Sequence, residues 1–160
     1  MKTGPNGLAL IKSFEGLILG AYDDIDDHLV KPGERVHGTL TIGWGHTTSA
    51  GPPKVFIGQE FTREEADAVL LADLASVELE VSHLVKVPLN QNQFDALVSF
   101  QYNTGWLGHH TCSLLSALNA GNYKLADQDF MLYDRGNGKV LTGLVRRRQA
   151  EKALFEKEVT

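Results

Sequence analysis

The chain changes periodicity at Glu15-Gly16, and that change constrains its fold more than any other feature. Before it, Leu8, Ile11 and Glu15 fall at i, i+3 and i+7, one face of a helix that opens at Pro5 and Asn6, where proline's missing donor costs least. After it, turns and short strands are expected through Thr47, and Thr39-Leu40-Thr41-Ile42-Gly43-Trp44-Gly45 alternates β-branched residues with glycines. A helix ended by Gly16 and followed by a small sheet turns one carboxylate, Glu15, towards the core. A carboxyl group half withdrawn from water at a helix C-terminus suits a general acid, because desolvation and the negative end of the helix dipole disfavour its charge. Most glutamates in a last turn are solvated and inert, so Glu15 alone establishes no chemistry.

The rest of the chain supplies a core for that junction. A length of 160 residues with 42% hydrophobic content fits one ordinary domain, or one domain whose two lobes share a long helix. The single cysteine, Cys112, forms no internal disulfide, so the fold does not rely on oxidation and a reducing compartment is expected. His109 and His110 lie near it in sequence, but a small buried apolar role is the expectation for Cys112. No stretch is apolar for long enough to span a bilayer, and residues 1–7 lack the charged-then-apolar order of a secretory signal. The net charge of −5 argues against nucleic acid as a partner. Acidic residues crowd positions 23–27 and arginines crowd 146–148, two local fields of opposite sign.

Helix signals dominate the second half. Thr62-Arg63-Glu64-Glu65 reads as a capping box that starts a long helix reaching about Leu84. Asn90 caps a second, with Phe94, Leu97, Val98 and Gln101 on one side, and further helices are expected at 113–119, 124–133 and 142–156. The predicted class is α+β: a small antiparallel sheet lobe of about 14–60, and a larger helical lobe of 1–13 plus 61–160, joined by the long helix, with Glu15 at the floor of a cleft between them. On that helix Asp73 shares the inward face with Ala66, Leu70, Val77, Val81 and Leu84, so it needs a buried partner, for which His46 is the best candidate. Leu144, Glu151 and Leu154 share a face with Arg147, which points at least one arginine inward, whereas Arg146 and Arg148 are expected to be solvated.

The chemistry is expected in the acidic loop Tyr22-Asp23-Asp24-Ile25-Asp26-Asp27. Two carboxyl groups on opposite walls of a cleft are the minimal equipment for hydrolysing a glycosidic bond, and spacing alone does not choose among four aspartates. A calcium loop fits poorly. Counted from Asp23, His28 stands where glycine is needed, and counted from Asp24, Arg35 stands at the last ligand position. In the strand that follows, a threonine hydroxyl could hold a nucleophilic water, and Gly43 and Gly45 let a sugar approach the backbone.

Five motifs in order tie these features together: Glu15-Gly16-Leu17; Ala21-Tyr22-Asp23-Asp24; Thr41-Ile42-Gly43-Trp44-Gly45-His46-Thr47; Asn90 through Phe100; and Gly143-Leu144-Val145-Arg146-Arg147-Arg148-Gln149-Ala150-Glu151. Through them the chain resembles the phage-type lysozymes, or endolysins, of glycoside hydrolase family 24. The resemblance implies a lysozyme-like two-lobed fold and hydrolysis of the β-1,4 bond between N-acetylmuramic acid and N-acetylglucosamine in peptidoglycan, with lysis of the host. By resemblance Glu15 is the general acid, Asp24 the second carboxylate and Thr41 the residue that helps hold the attacking water, in an inverting geometry with the carboxylates roughly 6.5–9.5 Å apart. Asp23 and Asp26 are runners-up, because residues 25–38 are an extra piece relative to the shortest members. Sugar contacts are implied at Gly45, Tyr102, Asn103 and Ser113, an ion pair between Arg147 and Glu15, and a structural pair of His46 with Asp73. Tyr133 stands where relatives usually carry tryptophan.

No metal or cofactor is implied. The implied partner is the peptidoglycan glycan strand, with no nucleic acid, no stable membrane insertion, a holin involved only indirectly, and a monomer as the active form. The protein would accumulate in the host cytoplasm and act on peptidoglycan in the periplasm once the inner membrane is opened. Three rival readings remain at this level: a binding module that has kept the cleft without the chemistry, membrane disruption by the basic C-terminal helix, and a lytic transglycosylase that forms an anhydro-sugar.

Overall fold

Helix α1 spans Pro5–Glu15 in a computed structural model of the chain, which describes residues 1–158. It stops where the periodicity breaks: Gly16 takes a φ of 69°, a left-handed conformation that glycine adopts without a Cβ penalty. Strands β1 (Ile18–Asp23), β2 (His28–Leu29), β3 (Leu40–Gly43) and β4 (His46–Thr47) follow and form one antiparallel sheet in the order β2-β1-β3-β4. Tyr22 stands opposite Leu29 on one side and Thr41 on the other. Ala21, Ile42 and Val55 make the apolar layer beneath the sheet, with Leu40 and Phe61 packed against it.

Helix α2 (Arg63–Leu84) begins with the expected reciprocal cap: the Thr62 N–H donates to Glu65 Oε2 at 2.7 Å and the Glu65 N–H to Thr62 Oγ1 at 3.1 Å. The chain divides into two compact units, Lys12–Ala75 on the one hand and Met1–Ile11 with the chain from Ser76 onward on the other, so both α1 and α2 contribute to each.

The second unit is helical, with α3 (Gln91–Thr104), α4 (Ser113–Asn119), α5 (Tyr123–Asp129) and α6 (Thr142–Glu156). Asn90 caps α3 through a full capping box with Gln93, and Gly105 closes it in the left-handed conformation. Phe94, Ala96, Leu97, Val98 and Phe100 of α3 are buried, and α3 packs chiefly on α6. Aromatic edges continue the layer: Phe100 meets Phe130 at 5.6 Å, and Phe130 meets Phe155 at 5.5 Å.

One element departs from the sequence reading. A single helix over 124–133 is replaced by α5 and a tight 3₁₀ turn at Phe130–Leu132. Asn122 caps α5 early by accepting from the Leu125 N–H at 3.0 Å, and the chain must then turn into a hairpin of β5 (Arg135–Gly136) and β6 (Lys139–Val140). Its two-residue loop, Asn137-Gly138, has φ of 50° and 76°, the signature of a type I′ turn.

Candidate active site

In the unit of Lys12–Ala75 the site begins with α1, whose last residue, Glu15, is half-buried. Strand β1 brings Tyr22 alongside. Its phenol pKa is pushed up to about 12, first by burial and then by the negative charges of Asp27, Glu15 and Asp24. The phenol therefore keeps its proton throughout the working range, and it lies within the field of both carboxylates expected to act. Thr41 sits opposite Tyr22 in the β1–β3 register, so the two side chains share a face of the sheet. Thr41 is buried, and its hydroxyl donates to the Thr39 carbonyl at 3.0 Å, which leaves the oxygen lone pairs as acceptors.

The four aspartates that sequence spacing could not separate take distinct places. Asp23 is 4% exposed and accepts from the N–H groups of Ile25 (3.2 Å), His37 (2.5 Å) and Gly38 (3.0 Å). The His37 N–H is the largest influence holding its carboxyl below the usual aspartate range. Asp23 is thus spent on closing the segment 25–38 back onto β1. Asp24 is exposed, and its Oδ1 accepts from the Thr39 N–H at 2.7 Å. Asp26 is exposed and turns inside the loop, accepting from the His28 N–H at 3.1 Å, while Asp27 has a positive φ of 57°. Glu34 ties the far side of the same loop by accepting from the Lys31 N–H at 2.8 Å and pairing with His28 Nε2 at 3.0 Å.

Beneath β4, His46 Nδ1 and Asp73 Oδ2 are 2.8 Å apart, and both side chains are buried. His46 Nε2 is 2.7 Å from the Pro53 carbonyl, which only accepts, so Nε2 carries a hydrogen. Burial pushes the Asp73 carboxyl up, and the hydrogen bond to His46 opposes it. Gly45, half-buried with a φ of 87°, closes the β3–β4 turn. A triad that sequence reading missed lies beside that turn: Asp67 accepts from Trp44 Nε1 at 2.7 Å and pairs with Lys12 at 2.8 Å, and the Lys12 ammonium stands 5.1 Å from the Trp44 ring centre. No short-range pattern links positions 12, 44 and 67, so no sequence signal exposes it.

In the helical unit, Tyr102 is half-buried and Asn103 exposed at the end of α3, and Asn103 Oδ1 accepts from Arg148 Nη2 at 2.8 Å. Asn103 lines a cavity of about 340 Å³ with Thr104, Trp106, Leu132, Tyr133, Arg135 and Leu144. Tyr133 keeps an aromatic edge on Phe100 at 5.0 Å, and its hydroxyl accepts from the Ser113 N–H at 3.0 Å. Trp106, absent from the sequence candidates, stacks on His109 at 3.8 Å. A tryptophan just after a glycine helix stop was the available signal.

The expectation that Arg148 is solvated is corrected. Arg147 and Arg148 are both buried, and each pairs with the fully buried Glu151, at 3.2 and 2.8 Å. Ser99 Oγ donates to Glu151 at 2.7 Å, and the Arg148 guanidinium lies 5.0 Å from the Phe100 ring centre. The inward face of α6 is wide enough to take adjacent arginines because one carboxylate serves both and Phe100 covers the planar cation. Burial is the main influence on both ends of the pair, pushing Glu151 up and Arg148 down, against their mutual attraction. Arg146 is exposed.

The family described as phage lysozyme matches residues 12–151. The chain belongs to the phage lysozyme family. The endolysin of Acyrthosiphon pisum secondary endosymbiont phage 1 is 41% identical to it, over 98% of this chain and 99% of that relative. The endolysin of Bacillus phage B103 is 40% identical over 97% of this chain, which spans only 54% of that longer protein. Among solved structures, the muramidase domain of SpmX from Asticaccaulis excentricus matches with a TM-score of 0.81 at 38% identity, covering 98% of this chain and 99% of that one.

In this phage lysozyme the expected residues fall into two groups. Glu15, Asp24, Thr41, Gly45, His46 and Asp73 belong to the unit of Lys12–Ala75, where the charges of Asp27, Glu15 and Asp24 all raise the Tyr22 phenol. Tyr102, Asn103, Ser113 and Arg147 belong to the other, where Asn103 and Tyr133 share a cavity and Ser113 bonds Tyr133.

Proposed function

We propose that this chain is an endolysin-type muramidase, a glycoside hydrolase that cleaves the β-1,4 bond between N-acetylmuramic acid and N-acetylglucosamine in peptidoglycan and so lyses the host cell. The observation that carries the assignment of roles is the division of labour between two adjacent aspartates. Asp23 is buried and saturated by backbone donors, while Asp24 is exposed and fixed by one hydrogen bond, within the field of the same phenol as Glu15. The name of the SpmX relative, a muramidase domain, supports the substrate.

Glu15 gives its proton to the glycosidic oxygen as the bond to C1 breaks. A water oriented by the Thr41 hydroxyl adds to C1, and Asp24 takes the proton that this water loses. A water between the carboxylates gives inversion at C1. Gly45, Tyr102, Asn103 and Ser113 hold the glycan, and Arg147, His46 and Asp73 support the scaffold. Among the described residues no helix is long and apolar enough to cross a membrane. The proposal includes a monomer that waits in the host cytoplasm and reaches the periplasmic wall after a holin opens the inner membrane.

Mass spectrometry of the products from purified peptidoglycan tests the reading. New muramic acid reducing ends are expected from the native chain and are expected to disappear with Glu15→Gln and with Asp24→Asn. Anhydro-muramyl products would replace the hydrolase with a lytic transglycosylase, and bound but uncut glycan would leave a binding module.

A further inference from the structure

We propose that Gly38 is a positioning residue for Asp24: its missing side chain is the space that the Asp24 carboxylate occupies. The inference rests on the reading of Asp24 as the second carboxylate. A Cβ placed on Gly38 would stand 2.2 Å from Asp24 Oδ1, 2.7 Å from Asp23 Oδ1 and 2.7 Å from Ile25 Cγ1, all inside the 3.0 Å that real Cβ atoms essentially never breach.

The need is for space, not for conformation. Gly16, Gly33, Gly43 and Gly45 are among the glycines with positive φ, and Gly38 is not, so no left-handed φ demands a glycine there. Exchanging glycine for alanine at such a position even favours the fold by restricting the unfolded chain. The whole cost of a side chain there is therefore the contact it makes.

The two nearest groups differ in what they can yield. Asp23 is buried and held by the N–H groups of Ile25, His37 and Gly38, the last reaching both its oxygens at 3.0 and 3.2 Å. Asp24 is exposed, and the Thr39 N–H, at 2.7 Å, is the bond that orients it. The nearest and least-held group, the Asp24 carboxylate, gives way by rotating off Thr39, and the remaining 2.7 Å approaches to Asp23 Oδ1 and Ile25 Cγ1 are relieved by smaller shifts whether or not Asp24 is present. Asp23 thus draws the returning backbone of the inserted segment against the end of β1, and Gly38, at that closest approach, leaves the gap in which the neighbouring carboxylate is aimed. Misplacement of a catalytic group by about 1 Å costs on the order of 10²-fold in rate.

The test is a two-by-two set of Gly38→Ala and Asp24→Ala, assayed for kcat and KM on soluble glycan fragments with thermal melts alongside. In the native background Gly38→Ala is expected to lower kcat about 10²-fold with KM nearly unchanged, and the contacts with Asp23 and Ile25 are expected to lower Tm by a similar amount in both backgrounds. In the Asp24→Ala background, where the Asp24 carboxylate is no longer there to be displaced, Gly38→Ala is expected to change the residual rate by less than about 3-fold. Equal losses in the two backgrounds would make Gly38 merely structural and overturn the proposal, as would full kcat in Gly38→Ala when Asp24→Ala is inactive. Full activity in Asp24→Ala would instead remove the assignment of Asp24 itself, and this proposal with it. If Gly38→Ala fails to fold, recovery of the fold in the double variant supports the contact with Asp24, and failure of both overturns it.

Discussion

Asp23 and Asp24 carry the same functional group one residue apart, and their surroundings give them unrelated tasks. The last residue of β1 turns under the sheet to collect backbone donors, and the next points to water. Tyr22, one residue earlier, reports on both catalytic candidates. Its phenol stands near 12 because burial and the charges of Asp27, Glu15 and Asp24 all oppose the phenolate. Removing one of those charges must therefore lower it. A pH titration of the Tyr22 ring by NMR is expected to give a value near 12 in the native chain and a lower one in Glu15→Gln, with Asp24→Asn acting in the same direction and less strongly. An unchanged Tyr22 in Glu15→Gln would place the glutamate outside the phenol's field. Because the phenol stays protonated, Tyr22→Phe is expected to leave the shape of the pH–rate profile below pH 10 unaltered.

At the scale of elements, the helix starts written within four residues of sequence were legible, while of the features assembled from distant segments the His46–Asp73 pair was legible, because a carboxylate on an inward helix face needs a partner, and the Lys12–Trp44–Asp67 cluster was not. The capping boxes of α2 and α3 join a cap to a residue three positions on, so sequence alone locates both starts. Asn90 is the more consequential, because α3 carries the buried run Phe94 to Phe100. Asn90→Ala removes the acceptor for the Gln93 N–H at 2.8 Å and is expected to cost about 1 kcal/mol, read as a shift of the urea midpoint at constant slope. The Asn137-Gly138 turn was also written locally, in Gly136-Asn137-Gly138-Lys139, although the two short strands beside it were not. Arg148 was misplaced for a different reason. Helical periodicity gave α6 one inward stripe, and only the approach of Ser99, Phe100 and Glu151 shows that a second arginine can be buried beside the first. The site divides the same way. Glu15 and Thr41 stand at recognisable junctions of sequence pattern and Asp24 is named by resemblance, whereas the bonds that set Asp23 apart from it come from His37 and Gly38, 14 and 15 residues from Asp23.

For the whole chain the same logic of spent and unspent carboxylates governs stability against pH. Asp73, Asp127 and Glu151 are pushed up by burial, so each favours the folded state most at low pH and contributes less as pH rises through its raised value. Asp23, Asp67 and Glu78 are held down, and each contributes stability that is present above its ordinary value and lost as pH falls through the lowered one. Glu78 offers the clearest test, because it fastens the start of the chain to α2. It accepts from Lys2 Nζ, the Thr3 N–H and Thr3 Oγ1, each at 2.8 Å. Burial alone would raise its pKa, but Lys2 and Thr3 together outweigh it and hold the carboxyl below 4.5. In Glu78→Gln an amide replaces one oxygen and faces the Lys2 ammonium, donor against donor. The Lys2 side chain is largely exposed, so loss of this pair costs up to about 1 kcal/mol, and the urea midpoint at pH 7 should fall accordingly. The native carboxyl takes up a proton as pH drops through its lowered value, and the advantage over the amide then disappears. The gap between native and variant midpoints is therefore expected to be full above pH 4.5 and to close below it. A gap that stays constant down to pH 3 would mean that Glu78 holds the first residues by packing alone, with no contribution from its charge.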